Sequence, residues 1–287
     1  MKGKCRMKSS KYLSLYAAAL LVLALRLTVV AEAFTKTAGI PYAPELGSMG
    51  IGDLYLPEGW TAETPLVLTI HGGGWNALDR YSLSGVAEFF ARDLGMAAFN
   101  IEYRLVGQTN FWPCCGEDCV SAAKFLLGAD FAAKYGLKPK RIWICGASAG
   151  GHLALWTALS LPPSHVAGAI SISGIGDPEP DRKAHPGRYR IMRGAYDPRT
   201  LIKPGCPRIL QTHADLDKVV PIESARNFER DYRAVGNKVE FFEYAHTVEP
   251  NTGGHCIWRR NSNPHRLIAV IENRIRDFCK VSTVQKK

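Results

Sequence analysis

The segment Gly146-Ala147-Ser148-Ala149-Gly150 directly follows the run Ile142-Trp143-Ile144-Cys145 and precedes the helix-like stretch His152-Leu153-Ala154-Leu155-Trp156. A GxSxG pentapeptide between a strand and a helix is typical of a nucleophile turn, which exposes a serine hydroxyl on tight, strained backbone. The residues that flank such a turn must be small, and here they are all glycine or alanine. We therefore identify Ser148 as the candidate nucleophile, because a serine oxygen needs this presentation before a base can activate it.

A second glycine-rich segment, His71-Gly72-Gly73-Gly74-Trp75, follows the predicted buried strand Leu66–Ile70. Acyl transfer develops negative charge on a carbonyl oxygen, and preorganised N–H groups must stabilise it. Alone, the segment would be read as a glycine turn at a strand end. Beside the GxSxG motif, it predicts an oxyanion hole made by the amides of Gly73, Gly74 and Ala149.

An acid and a histidine are expected after the nucleophile, in that order. Two carboxylates, Asp215 and Asp217, follow a predicted strand, and either could be the acid; Asp215 could also cap a turn. His246 and His255 follow the next strand. We favour His255 as the base because the two glycines before it allow its loop to bring the ring over Ser148. His246 is the alternative base, or a solvated loop histidine.

These segments, together with DLYLP at 53–57, resemble the α/β-hydrolase superfamily. Within it they are most similar to small HGGGW esterases, a group that includes acetyl xylan and feruloyl esterases and relatives of the hormone-sensitive-lipase group. The resemblance covers nearly all of the chain after residue 50. It implies that Ser148 is the nucleophile, that Asp217 of the DxxVP segment is the acid, and that His255 of the GGH segment is the base. The chain departs from the family at Ala214, where glycine is usual.

Predicted strands and helices alternate along the chain, which indicates a mainly parallel central sheet with helices on both faces. The strands are predicted near 66–70, 96–101, 141–145, 167–173, 207–212 and 238–244. The helices are predicted near 82–93, 117–134, 150–160, 222–235 and 265–279. No repeat or linker divides the chain, so we expect one catalytic domain over residues 34–287. About 37 residues precede the HGGGW segment in that domain, too few for a large cap; a small lid could come from 174–200.

The N-terminus has the three parts of a signal peptide: a basic start at residues 1–8, an apolar stretch from Tyr12 to Val30, and Ala31-Glu32-Ala33 as a cleavage site. A membrane anchor is the alternative. Arg26 within the apolar stretch and the small residues after it favour cleavage after Ala33. We therefore expect an exported protein, secreted or periplasmic, with no stable membrane insertion after cleavage.

The net charge of +10 falls to about +5 when the predicted signal peptide is removed, and no basic run with interleaved aromatic residues predicts a nucleic-acid partner.

Seven cysteines remain, and an odd number leaves at least one thiol free. Cys145, in the strand before Ser148, is the expected free thiol. Three others, Cys114, Cys115 and Cys119, lack the spacing of zinc sites and predict disulfides or packing. We expect no metal and no cofactor. Of the remaining histidines, His152 is expected to be packed; the others, expected at the surface, are His165, His185 and His265.

The sequence thus predicts an exported serine esterase that removes acetyl or feruloyl groups from polysaccharides or oligosaccharides. Its expected partner is a small-molecule or glycan-borne ester. A peptidase of the prolyl-oligopeptidase type shares the triad order, but that group normally has a large N-terminal domain for which this chain has no room. A non-catalytic binding module of the same fold is a further alternative. All three triad residues are present, which favours the enzyme.

Overall fold

The computed structural model describes residues 33–192, 194, 196–248, 251–255 and 268–280. They belong to one compact unit that begins at Ala33. The signal-peptide prediction lies outside these residues, except for Ala33, as do Cys256 and His265. Among the described helices, none has the length and apolar content needed to cross a bilayer.

One eight-stranded sheet forms the centre of the fold, with the spatial order β1-β2-β4-β3-β5-β6-β7-β8. Its strands are β1 (Phe34–Pro41), β2 (Ile51–Pro57), β3 (Leu66–Ile70), β4 (Ala97–Ile101), β5 (Ile142–Ala147), β6 (Val166–Ile172), β7 (Ile209–Ala214) and β8 (Val239–Tyr244). The first two strands are antiparallel to their neighbours, and every later pair is parallel. The carboxyl ends of β3 to β8 therefore lie at one edge of the sheet, where open α/β sheets place their sites.

Helices cover both faces of the sheet. They are α1 (Ser84–Leu94), α2 (Cys114–Leu127), α3 (Ala129–Tyr135), α4 (Ala149–Ser160), α5 (Pro178–Ala184), α6 (Glu223–Ala234) and α7 (Ala269–Lys280). Side chains of α2, α4 and α6 share one core cluster, and those of α1 and α7 share another. Strand residues alternate between the two clusters: Leu66 and Leu68 pack in the first, whereas Val67 packs in the second. This alternation follows from the two-residue period of a strand that is buried on both faces.

The predicted fold class is confirmed, and the six predicted strands lie within two residues of their observed positions. The structure adds β1 and β2, which the strand prediction omitted. The helix predicted near 117–134 is two helices, because the chain is extended at Gly128, where ψ is 155°. The part of the last predicted helix before residue 268 lies outside the described residues.

The segment before the HGGGW motif is part of the sheet. Its residues form β1, at the edge, and β2, which lies beside it. No large cap is present among the described residues. The region 174–200, from which a lid was expected, contains the short helix α5 and two turns of 3-10 helix. Its Asp181 is fully buried and accepts hydrogen bonds from Arg188 and from the hydroxyl of Tyr189, which hold the region together. Arg188 also donates to the carbonyl of Val219 at 3.4 Å and so ties the region to the rest of the domain.

Cys114, Cys115 and Cys119, for which disulfides or packing were predicted, are buried free thiols. Cys145 is also a buried free thiol, as predicted. The role of the first three is packing, since their side chains lie in the core cluster around α2 and α4. In the described ranges, no group of three or more His, Cys, Asp or Glu side chains is arranged to hold a metal ion.

The close approach of α4 to β3 depends on Gly150. A Cβ atom at this position would lie 2.1 Å from the carbonyl oxygen of Ile70 and 2.4 Å from that of His71. Both obstacles are backbone atoms of the central sheet, so the helix would have to move away from the strand.

We expect Gly150→Ala to lower the free energy of unfolding by about 1–3 kcal/mol, the usual cost of overpacking, as measured by urea denaturation. Gly107→Ala is the matched control, because a Cβ there has no atom within 4 Å. Equal stability of the two variants would contradict this account of the helix–strand contact.

Candidate active site

Ser148 occupies the sharp turn between β5 and α4. Its backbone has φ 56° and ψ −123°, a region that L-residues other than glycine rarely adopt. The turn is held by the Ser148 amide, which donates to the carbonyl of Ile172 on the neighbouring strand at 2.9 Å. Gly146 is also required, because a Cβ there would lie 2.0 Å from the carbonyl oxygen of Gly150. The two motif glycines thus permit a strained turn that presents the serine side chain at the sheet edge.

The structure brings Ser148, His255 and Asp217 into one line. The Oγ atom of Ser148 lies 3.0 Å from Nε2 of His255, and Nδ1 of the same ring lies 2.7 Å from Oδ2 of Asp217. Ser148 follows β5, Asp217 follows β7 and His255 follows β8. Because the carboxyl ends of these parallel strands lie at the same edge of the sheet, residues up to 107 positions apart meet there. Both distances suit a hydroxyl that donates to a neutral imidazole whose other nitrogen donates to a carboxylate.

Asp217 is held by four donors. Its Oδ1 accepts from the amides of Val219 and Val220 at 2.8 and 2.9 Å, and its Oδ2 is 2.7 Å from His255 and 3.3 Å from Nε2 of His213. Burial by itself raises the pKa of Asp217, but the hydrogen bonds from His213 and His255 outweigh it and hold the pKa well below its usual range. The carboxylate is therefore ionised and fixed in position beside the imidazole.

Burial lowers the pKa of His255, and the hydrogen bond and charge of Asp217 oppose that effect only in part. The ring is 3% exposed. Its neutral form, which a general base requires, is consequently present at neutral pH. Asp217 stabilises the charged ring that would form when the serine proton is transferred.

Asp215 and His246, the alternative acid and base, contact each other instead. Asp215 Oδ1 accepts from both the amide and Nδ1 of His246, at 2.7 and 2.9 Å. Both side chains are about one-third exposed. The pair closes a turn between the ends of β7 and β8.

The predicted oxyanion loop adjoins the nucleophile turn. Gly72 lies against it, since a Cβ there would approach the carbonyl oxygen of Ala147 to 2.8 Å and Cβ of Ser148 to 3.1 Å. Gly73 and Gly74 have positive φ, 108° and 61°, so this loop adopts backbone conformations that favour glycine. The roles of Gly73, Gly74 and Ala149 as oxyanion donors remain predictions.

His213 is a site residue that the sequence reading missed. Its Nε2 donates to the carbonyl of Val220 at 2.9 Å, which places the ring against Asp217. The signal available in the sequence was its spacing: it is four residues before Asp217 at the end of a buried strand.

His152 is fully buried, as expected for a packed residue. Its Nδ1 accepts from the indole of Trp75 at 3.1 Å, and its Nε2 donates to the carbonyl of Tyr196 at 2.6 Å. Burial lowers its pKa to about 4, so the ring is neutral and links the oxyanion loop to the 174–200 region. His165 is exposed, and His185 is half-buried.

Two family models match the chain. The BD-FAE model matches residues 52–171, and the Phospholipase/Carboxylesterase model matches residues 121–252. Arylacetamide deacetylase of Oryctolagus cuniculus is 38% identical over 96 residues. That match covers 32% of this chain and only 23% of the relative.

The fold is similar to solved esterase structures. A truncated carbohydrate esterase from gut microbiota superposes with a TM-score of 0.69 at 20% identity, covering 88% of this chain and 99% of that one. A propionate-bound esterase, Est2 of Thermogutta terrifontis, gives a TM-score of 0.68 at 22% identity, covering 89% and 97%. At these identities the likeness concerns the fold.

Replacing the three aligned side chains tests their predicted roles. We expect Ser148→Ala and His255→Ala to lower kcat for p-nitrophenyl acetate by about 10⁶-fold, and Asp217→Asn by about 10⁴-fold, because the three act as a unit. Asp215→Asn and His246→Ala are the matched controls and should have far smaller effects. Near-normal turnover by folded Ser148→Ala, or a larger loss in His246→Ala than in His255→Ala, would contradict the assignment.

The pH dependence follows from the lowered pKa of His255. Only the neutral ring accepts a proton, so kcat/KM should fall as pH decreases through the pKa of the free enzyme, with a midpoint below the ordinary value of 6.5. Asp217→Asn removes the interactions that raise this pKa and should shift the acid limb further down. A wild-type midpoint above 6.5 would show that another group controls activity.

The strand order, the turn around Ser148 and the matching models all indicate the same fold class. The sheet has the parallel arrangement of the solved esterases, and the two models together extend from residue 52 to residue 252. The chain has the α/β-hydrolase fold and is similar to esterases of that fold.

Proposed function

We propose that the protein is a serine carboxylic-ester hydrolase that removes short acyl groups, with acetyl or feruloyl groups on carbohydrate as the physiological substrates. The observation that supports it most is the line from Ser148 through His255 to Asp217, with spacings of 3.0 and 2.7 Å. Similarity to esterases supports the ester class.

In the proposed mechanism, Oγ of Ser148 attacks the ester carbonyl while Nε2 of His255 accepts its proton. Asp217 holds the ring and stabilises the imidazolium. The amides of the Gly73–Gly74 loop and of Ala149 stabilise the oxyanion of the tetrahedral intermediate. His255 then protonates the departing alcohol, and water attacks the acyl-enzyme by the same steps in reverse.

The carbohydrate assignment rests on similarity. The chain is similar in fold to a protein described as a carbohydrate esterase and matches the BD-FAE model. Export, proposed from the basic and apolar N-terminal segments, would give the enzyme access to extracellular glycans. A release assay tests the assignment: acetate or ferulate should be liberated from acetylated xylan or feruloylated arabinoxylan, and Ser148→Ala should release neither. Turnover of p-nitrophenyl esters with neither polysaccharide cleaved would remove the carbohydrate part alone. Cleavage of aminoacyl amides in preference to esters would instead favour the peptidase alternative.

Acyl length gives a further prediction. Residues 33–57 form β1 and β2 at one side of the sheet, so within the part of the chain that the structure describes no N-terminal segment covers the acyl group. A buried methylene contributes about 0.8 kcal/mol, and only where a wall buries it. We expect kcat/KM for p-nitrophenyl acetate to butyrate to exceed that for palmitate, measured below the solubility limit of each ester. If palmitate is the best substrate, the protein is a lipase and the carbohydrate assignment is wrong.

A further inference from the structure

The ring of His71, directly before the oxyanion glycines, is fully buried and has a hydrogen-bond partner at each nitrogen. Nδ1 lies 2.7 Å from the carbonyl oxygen of Gly72, and Nε2 lies 3.1 Å from Oε1 of Glu102. A carbonyl oxygen and a carboxylate are both acceptors. Each ring nitrogen therefore faces an oxygen acceptor, and a hydrogen on Nδ1 is donated to the carbonyl of Gly72.

Glu102 is itself fixed from the other side. Its Oε2 accepts from Nη1 of Arg80 at 3.2 Å and from the Arg80 amide at 3.3 Å, and Nε of Arg80 donates to Asp53 at 3.0 Å. These groups are buried or nearly so. Tyr103 stacks on the face of His71 with ring centroids 4.2 Å apart and donates its hydroxyl to the His71 carbonyl. The ring therefore has one orientation, with Nδ1 directed at Gly72.

The carbonyl that His71 contacts belongs to the same peptide unit as the amide of Gly73, one of the predicted oxyanion donors. A hydrogen bond to a peptide oxygen fixes the plane of that peptide and polarises it, so that its N–H becomes a stronger donor. The effect is largest when the donor is charged and the surroundings are dry.

We propose that His71, held by Glu102, is a positioning residue that orients and polarises the Gly72–Gly73 peptide toward the oxyanion. The ring touches neither substrate nor nucleophile and acts through this one peptide. The inference rests on the proposed function, since it concerns the stabilisation of the tetrahedral intermediate in ester hydrolysis.

The test compares His71→Leu, His71→Asn and Glu102→Gln with wild type. Active sites are counted by end-point labelling with a fluorophosphonate, so kcat is expressed per reactive serine. We expect His71→Leu to lower kcat for p-nitrophenyl acetate by about 10²–10³-fold, the range for loss of one oxyanion donor, with little change in KM. His71→Asn, which keeps an N–H near the Nδ1 position, should recover most of the loss, and Glu102→Gln should be intermediate.

A boronic acid, which forms a tetrahedral adduct with the serine, gives an independent measurement. Its Ki should rise in His71→Leu by a factor similar to the loss in kcat, because both report binding of the oxyanion. Tyr232→Phe is the control: it also removes a fully buried hydrogen bond, but the Tyr232 hydroxyl donates to the carbonyl of Pro207 and touches no residue of the oxyanion loop. It should lower stability while keeping kcat per labelled site and the boronate Ki close to wild type.

A purely structural role predicts fewer labelled sites with normal kcat per site and an unchanged Ki, and that result would overturn the proposal. If the His71 variants do not fold, Glu102→Gln decides by the same two measurements, since it is isosteric. Wild-type protein with no reactive serine and no turnover would instead refute the proposed function. The two failures are therefore distinct.

Discussion

The backbone of the nucleophile turn packs directly on the backbone of the neighbouring strand, and the rest of the site depends on this contact. A methyl group on Gly150 would strike the carbonyl oxygens of Ile70 and His71, and one on Gly72 would lie 2.8 Å from the carbonyl oxygen of Ala147. Two adjacent strand ends can therefore bring a nucleophile and a set of amides together without intervening side chains. Backbone amides in such a position need no reorganisation when charge develops on the substrate.

Electrostatics then differentiate the buried groups. Asp217 is surrounded by four donors and stays ionised, whereas the His255 ring is desolvated and stays neutral. Hydrogen bonds favour the charged form of Asp217, whereas burial favours the neutral form of His255. These forms suit an anchored anion and a free base. His213 belongs to this arrangement because it supplies one of the donors on Asp217.

The first described strand, β1, forms one edge of the sheet. Its polar residues are mostly exposed, and the strand pairs only with β2. Such a strand lacks the continuous apolar run that identifies the central strands β3 and β5, in which every residue is buried. This is the physical reason why the sequence predicted the parallel strands within two residues and omitted β1. Strand β2 is mostly buried, but Gly52 and Asp53 interrupt its apolar run.

The sequence by itself determined the fold class, the turn around Ser148 and the candidates for acid and base, because glycine spacing and fully buried strands are local properties of the chain. It left Asp215 against Asp217 open until a family resemblance was considered, and it favoured His255 over His246 only from the two glycines before His255. Only the tertiary structure paired Asp215 with His246 and placed His255 between Ser148 and Asp217, since these contacts join the ends of different strands. The same holds for Glu102 beneath His71: residues 31 positions apart meet because β3 and β4 are parallel neighbours, a relation that no local pattern records.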